Sequence, residues 1–148
     1  MPTLTETLAT ARYTDARSAG NVRELVALLN EPRHAVRRTI APDALRAALM
    51  NLGVWTRLCV IRRVPETPPE IGGASDTVID VCTPGGLSRV DLDAPAATQL
   101  FDLFVTAELL DADERAFLLA LMDALESDAD QALGRSANEQ DVTEVLNG

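Results

Sequence analysis

Residues 93–127, DAPAATQLFDLFVTAELLDADERAFLLALMDALES, constrain the fold of this chain more than any other stretch. Ala97, Leu100, Phe101, Phe104 and Val105 recur at the spacing of one helical face, and Phe117, Leu118, Leu121, Met122 and Leu125 repeat that spacing. Between the two runs, Asp111 followed three residues later by Glu114 is a capping-box start, which puts a tight turn at residues 110–111. Two helices joined this closely pack antiparallel, so the spacing predicts a helix hairpin over about 93–126. Three of the five aromatic residues fall inside it, and the rest of the chain must cover its apolar stripes.

The covering elements announce themselves mainly through caps. Thr3 with Glu6 opens a helix expected to run from residue 4 to 18 and to stop at Gly20. Asn21 with Glu24 opens the next, which Pro32 ends. Residues 33–40 mix β-branched residues with arginines and read as extended. Pro42 suits the first turn of a helix that Gly53 closes. Residues 55–64 read as a further helix, with a buried strand as the alternative, and residues 75–82 as either a short helix or a strand. The proline- and glycine-rich run 65–74 reads as a loop and residues 84–86 as a turn. Ser127/Asp130 and Asn138/Asp141 start two last helices, with Gly134 between them. Pairing of residues 37–40 with 89–92 would add a minor two-stranded β ribbon. The expected fold is therefore mainly α: one small multi-helix domain, 1–148, around the central hairpin.

Charge divides the chain along its length. All 13 basic residues are arginine. Ten of them lie in residues 1–63 against five acids, and three lie in residues 64–148 against 18 acids. This suggests a basic helical half (1–63), a Pro/Gly-rich connection (65–86) and an acidic helical half (87–148). With no lysine, Schiff-base chemistry, a Walker-type phosphate lysine and a kinase or Ser–Lys mechanism all fall away. No apolar run has the length of a membrane span and no export signal is visible. Cys59 and Cys82 sit in apolar stretches and read as buried thiols.

Little in the sequence resembles a reactive site. The one histidine, His34, lies between arginines with no Ser or Cys nucleophile motif in the chain. Two cysteines and one histidine lack paired zinc spacing. Counted from Asp111 or Asp128, the acid clusters place Ala116 or Leu133 where a calcium loop needs glycine, so they read as helix caps. No catalytic residue, metal or cofactor is expected. The best candidate binding surface is Arg33, Arg37, Arg38, Arg62 and Arg63, since arginine forks suit carboxylates and phosphates. The acidic second half argues against nucleic acid. Pairing with the domain's own acids, or with an acidic neighbour in an assembly, is the favoured use.

The order of motifs resembles that of small helical proteins encoded among the structural and tail genes of tailed bacteriophages and prophages. The matching stretches are ELVALLNEP, VRRTIAPDALRAAL, VDLDAPAATQLFDLFVTAELLDADERAFLLAL and ESDADQALGRSANEQDVTEVL. Residues 64–86 lie outside the likeness. The resemblance implies a non-enzymatic virion protein, made in the host cytoplasm, that binds other virion proteins in multiple symmetric copies. A tail or fibre-attachment component is the expectation. The alternatives are a head decoration or head–tail joining protein, and a small regulator binding nucleic acid or a host protein.

Overall fold

The computed structural model describes all 148 residues. In chain order the elements are α1 (Leu4–Leu8), a 3-10 turn (Ala11–Tyr13), α2 (Thr14–Ser18), α3 (Val22–Asn30), β1 (His34–Arg37) and α4 (Pro42–Asn51). There follow α5 (Val54–Ile61), α6 (Pro69–Val81), α7 (Pro95–Thr106), α8 (Ala112–Ala120), β2 (Asp123–Glu126), α9 (Asp128–Leu133) and α10 (Glu139–Asn147). The protein is mainly helical, as the spacing predicts, with one small two-stranded antiparallel sheet. No single helix is long and apolar enough to cross a membrane.

The chain forms two compact units, each with its own apolar core. Unit 1 is Met1–Val36 with Ala124–Gly148, and unit 2 is Arg37–Asp123. Leu8, Tyr13, Leu25, Leu29, Ala129 and Val142 fill unit 1. Leu45, Leu49, Val54, Leu58, Phe104 and Leu118 fill unit 2. These units do not follow the basic and acidic halves of the sequence. Unit 1 carries five arginines and ten acids, unit 2 eight and thirteen, so each has a net charge of −5.

Most helix ends are where the caps put them. Thr3/Glu6, Asp111/Glu114, Ser127/Asp130 and Asn138/Asp141 each make both bonds of a capping box. Gly53 (φ 75°) closes α4 and turns the chain by 92° into α5, and Gly134 (φ 70°) closes α9. Only glycine takes this left-handed backbone without cost, which is why both helices stop there.

Four elements differ from the sequence reading. The helix expected over 4–18 is broken: Thr10 is extended (φ −74°, ψ 159°), and its hydroxyl donates to the Thr7 carbonyl at 2.7 Å in place of helical continuation. The loop expected over 65–74 is helical from Pro69 onward. Pro69 supplies the preset φ of a first helical residue, and Gly72 and Gly73 are carried inside α6, which also resolves residues 75–82 as helix. Residues 55–64 are helical through Ile61.

The hairpin's second helix ends at Ala120, not near 126. Asp123–Glu126 pairs with His34–Arg37, in a ladder bracketed by Arg33 N–H to the Glu126 carbonyl (2.9 Å) and Arg38 N–H to the Met122 carbonyl (2.8 Å). Backbone pairing overrides helical spacing here, and Leu125, expected in the core, is exposed on the ribbon. The ribbon expected between 37–40 and 89–92 shrinks to one antiparallel bridge, Ile40–Val90. Asp102 of α7 and Arg115 of α8 pair at 2.7 Å across the hairpin, with the guanidinium over the Phe101 ring.

Candidate functional site

Three of the candidate arginines, Arg33, Arg37 and Arg62, pair with carboxylates of their own unit. Arg37 grips Asp93 through two bonds (Nε–Oδ2 3.0 Å, Nη2–Oδ1 2.8 Å), and its Nη1 reaches Asp123 (2.6 Å) and the Leu119 carbonyl (2.7 Å). It thus adds a bond to a carbonyl at the end of α8 that also accepts from the Met122 N–H, while binding two carboxylates. Asp93 is held below the usual carboxylate range chiefly by that hydrogen bond. Arg62 pairs with Asp76 at 3.1 Å. Arg33 belongs to unit 1 and approaches Asp128 at 3.4 Å. Arg38 and Arg63 are exposed, Arg38 at the mouth of the ribbon and Arg63 just past α5. Arginines outside the candidate set behave alike, with Arg57 on Glu114 (2.7 Å) and Arg135 on Asp141 (2.7 Å).

A second constellation of titratable groups centres on Asp128, in the first turn of α9. Its carboxylate accepts from the Tyr13 hydroxyl through Oδ2 and is bonded to His34 Nε2 through Oδ1, with Arg33 and, at 3.8 Å, Arg12 Nε behind it. The helix N-terminus adds positive potential at the same point. Burial works against the charged carboxylate, but the bonds from Tyr13 and His34 and the charge of Arg33 outweigh it, so Asp128 lies below its ordinary range. Tyr13 is pushed up to about 12, first by burial and then by the bond to Asp128. A tyrosine this buried (0% exposed) offers its hydroxyl to no substrate. The group is a brace that fastens the 3-10 turn, β1 and α9 of unit 1. The sequence reading treats Asp128 as a capping acid, yet the capping box uses Asp130; the redundant acid at the first helical position is the signal that points to this brace.

Unit 2 holds a feature that the sequence gives no sign of: an apolar cavity of about 410 Å³. Leu45, Leu49 and Leu58 form one side, Val78 and Val81 of α6 another, and Phe101, Phe104 and Leu118 the hairpin side. Only Thr77, Arg89 and Asp91 contribute polar side chains. At about 24 cal/mol per Å³, leaving 410 Å³ closed and empty would cost on the order of 10 kcal/mol, comparable with a whole domain's stability. The wall instead runs out to the surface at Leu87, Arg89, Asp91 and Ala96, all exposed. Leu87, 60% exposed on the loop after α6, stands at this mouth. Such a cavity offers apolar burial to an incoming group and little hydrogen bonding.

No protein-family model, curated protein or solved structure matches the chain.

Proposed function

We propose that this protein is a non-enzymatic structural component of a tailed-phage virion, in the tail or at a fibre attachment, and that it acts by binding other virion proteins. The observation that carries this reading is the open apolar cavity of unit 2. Its wall sets no nucleophile beside a base, and what it offers an occupant is burial of apolar surface, the dominant source of free energy in protein association. The brace at Asp128 supports the same reading, since its tyrosine, histidine and arginines are engaged with one carboxylate and hold unit 1 together. The biological setting proposed here rests on the resemblance of the motif order to that of small proteins encoded among phage tail genes.

Quantitative mass spectrometry of purified particles, raised from a host that carries the gene, tests this. Presence at a symmetric copy number, retained in tail-only fractions, is the expected result. Absence from clean particles would remove the structural role.

A further inference from the structure

Unit 2 presents a hole and, on a different face, a knob. The hole is the cavity of about 410 Å³, more than twice the roughly 150 Å³ that admits benzene to a protein core. The knob is Phe117 on α8, at 51% the most exposed aromatic ring in the chain. Its neighbour Leu118 is fully buried and lines the cavity. Successive helical residues point about 100° apart, so while Leu118 faces the cavity of its own chain Phe117 projects to another side of α8, outside the cavity wall.

The charges around the two are complementary. Asp113 lies one turn before Phe117 on the same helical face, is exposed, and makes no ion pair. At the mouth of the hole, Arg89 uses Nε and Nη2 on Thr39, which leaves Nη1 uncommitted. The other charged group there, Asp91, accepts from the Asp93 N–H at 2.9 Å. An aromatic ring with a carboxylate one turn away is therefore matched to an apolar hole with a guanidinium at its rim.

We propose that Phe117 of one copy enters the cavity of the next, with Asp113 beside Arg89, so that the protein assembles head to tail with itself. The partner is thus a second copy of this chain. Because knob and hole lie on different faces, the contact is heterologous: it closes into a ring if the rotation per copy divides a full turn and otherwise propagates as a filament. Repetition around a symmetric particle lets each contact be weak. This deepens the virion reading and rests on it for the need to assemble.

Sedimentation velocity on the full-length protein over a concentration series tests the contact. Wild type should self-associate. Phe117→Glu, which alters an exposed side chain, and Ala97→Trp, which fills the hole from a half-buried wall position, should each weaken association by about thirtyfold, the weight of an aromatic hot spot. Mixed together, they should form a heterodimer and nothing larger, because one keeps only its hole and the other only its knob. A wild type that stays monomeric overturns the proposal, as does a mixture that stays monomeric while circular dichroism shows both variants folded. If Ala97→Trp fails to fold, Arg89→Glu replaces it: Arg89→Glu must then bind Asp113→Arg more tightly than it binds wild type, and equal or weaker binding counts against the contact. A monomeric wild type that is nonetheless present in particles would sink this contact and leave the virion role standing. Self-association by a chain absent from particles would do the reverse.

Discussion

Replacing Asp128 by alanine removes the group on which unit 1 converges, and the size of the loss follows from what its carboxylate holds. The side chain is 11% exposed, bonded to Tyr13 and His34 and paired with Arg33 at 3.4 Å. Each hydrogen bond to a charged group is worth about 1.5–3 kcal/mol, and taking one partner from a buried ion pair costs about 3–5 kcal/mol because the other is left uncompensated. With allowance for the overlap of these terms, Asp128→Ala should cost unit 1 about 3–5 kcal/mol. Tyr13→Phe, which deletes one bond and keeps the ring buried, should cost about 1–2 kcal/mol. The double variant should cost less than the sum, since both remove the same bond. Urea unfolding gives the totals. Hydrogen exchange should locate the loss in the 3-10 turn, β1 and α9. A cost for Asp128→Ala below about 1 kcal/mol, or exchange that accelerates only within residues 37–123, would refute the brace.

The same group sets a pH window. Asp128 is depressed in the fold, so its contribution is complete above the unfolded value near 3.9 and is lost as pH falls through the folded value. Tyr13 is raised to about 12 by burial and by its bond to Asp128. Its protonated form is the one the fold favours, so that contribution is complete below the unfolded value near 10 and declines as pH climbs towards 12. The brace should therefore hold fully between about pH 4 and pH 10, and Asp128→Ala should flatten the acid limb.

Two further predictions concern unit 2. Its ends meet, with Arg37 Nη1 2.6 Å from Asp123 and the Arg38 N–H 2.8 Å from the Met122 carbonyl, and its core draws on no residue outside Arg37–Asp123. Residues 37–123 expressed alone should thus unfold cooperatively in urea, and joining Val36 to Ala124 through Asn-Gly should leave a folded unit 1 with a hairpin at the join. A non-cooperative transition in either piece would contradict the independence of the two cores. Gly72 and Gly73 sit inside α6 with helical backbone and open space where a Cβ would project. Alanine at each should stabilise unit 2 by about 0.5–1 kcal/mol, and a loss in thermal melting temperature would show that the space is not free.

What was legible in the sequence was local. The pairs Thr3/Glu6, Asp111/Glu114, Ser127/Asp130 and Asn138/Asp141 act within one helical turn, and each is found capping a helix. Gly53 and Gly134 were legible for the same reason, because left-handed backbone is a property of one residue. Residues 121–126 were not. Their apolar spacing suits a helix, but the backbone there pairs with a strand some 90 residues earlier in the sequence, and no local pattern announces that partner. The same distance hid the brace, since Tyr13 and Asp128 lie 115 residues apart. Proline and glycine misled over 65–74 because two helix-start prolines and two tolerated helical glycines have the composition of a loop.

The fate of the arginines explains why charge pointed away from the candidate binding surface. Along the sequence the basic and acidic residues separate, which suggests two faces. In three dimensions each unit takes chain from both halves: the first strand of unit 1 meets the segment after residue 123, and Arg37 of unit 2 closes on Asp93 and Asp123. Each unit ends at −5, with Arg33, Arg37 and Arg62 facing acids of their own unit. With the same sign of net charge on both units, copies of the chain repel weakly at a distance, over about 8 Å at physiological salt. Recognition has to come from short-range groups. The apolar cavity and the exposed ring of Phe117 are two such groups in unit 2, and partner specificity is better sought there than in RHAVRR, where Arg33 and Arg37 already face acids.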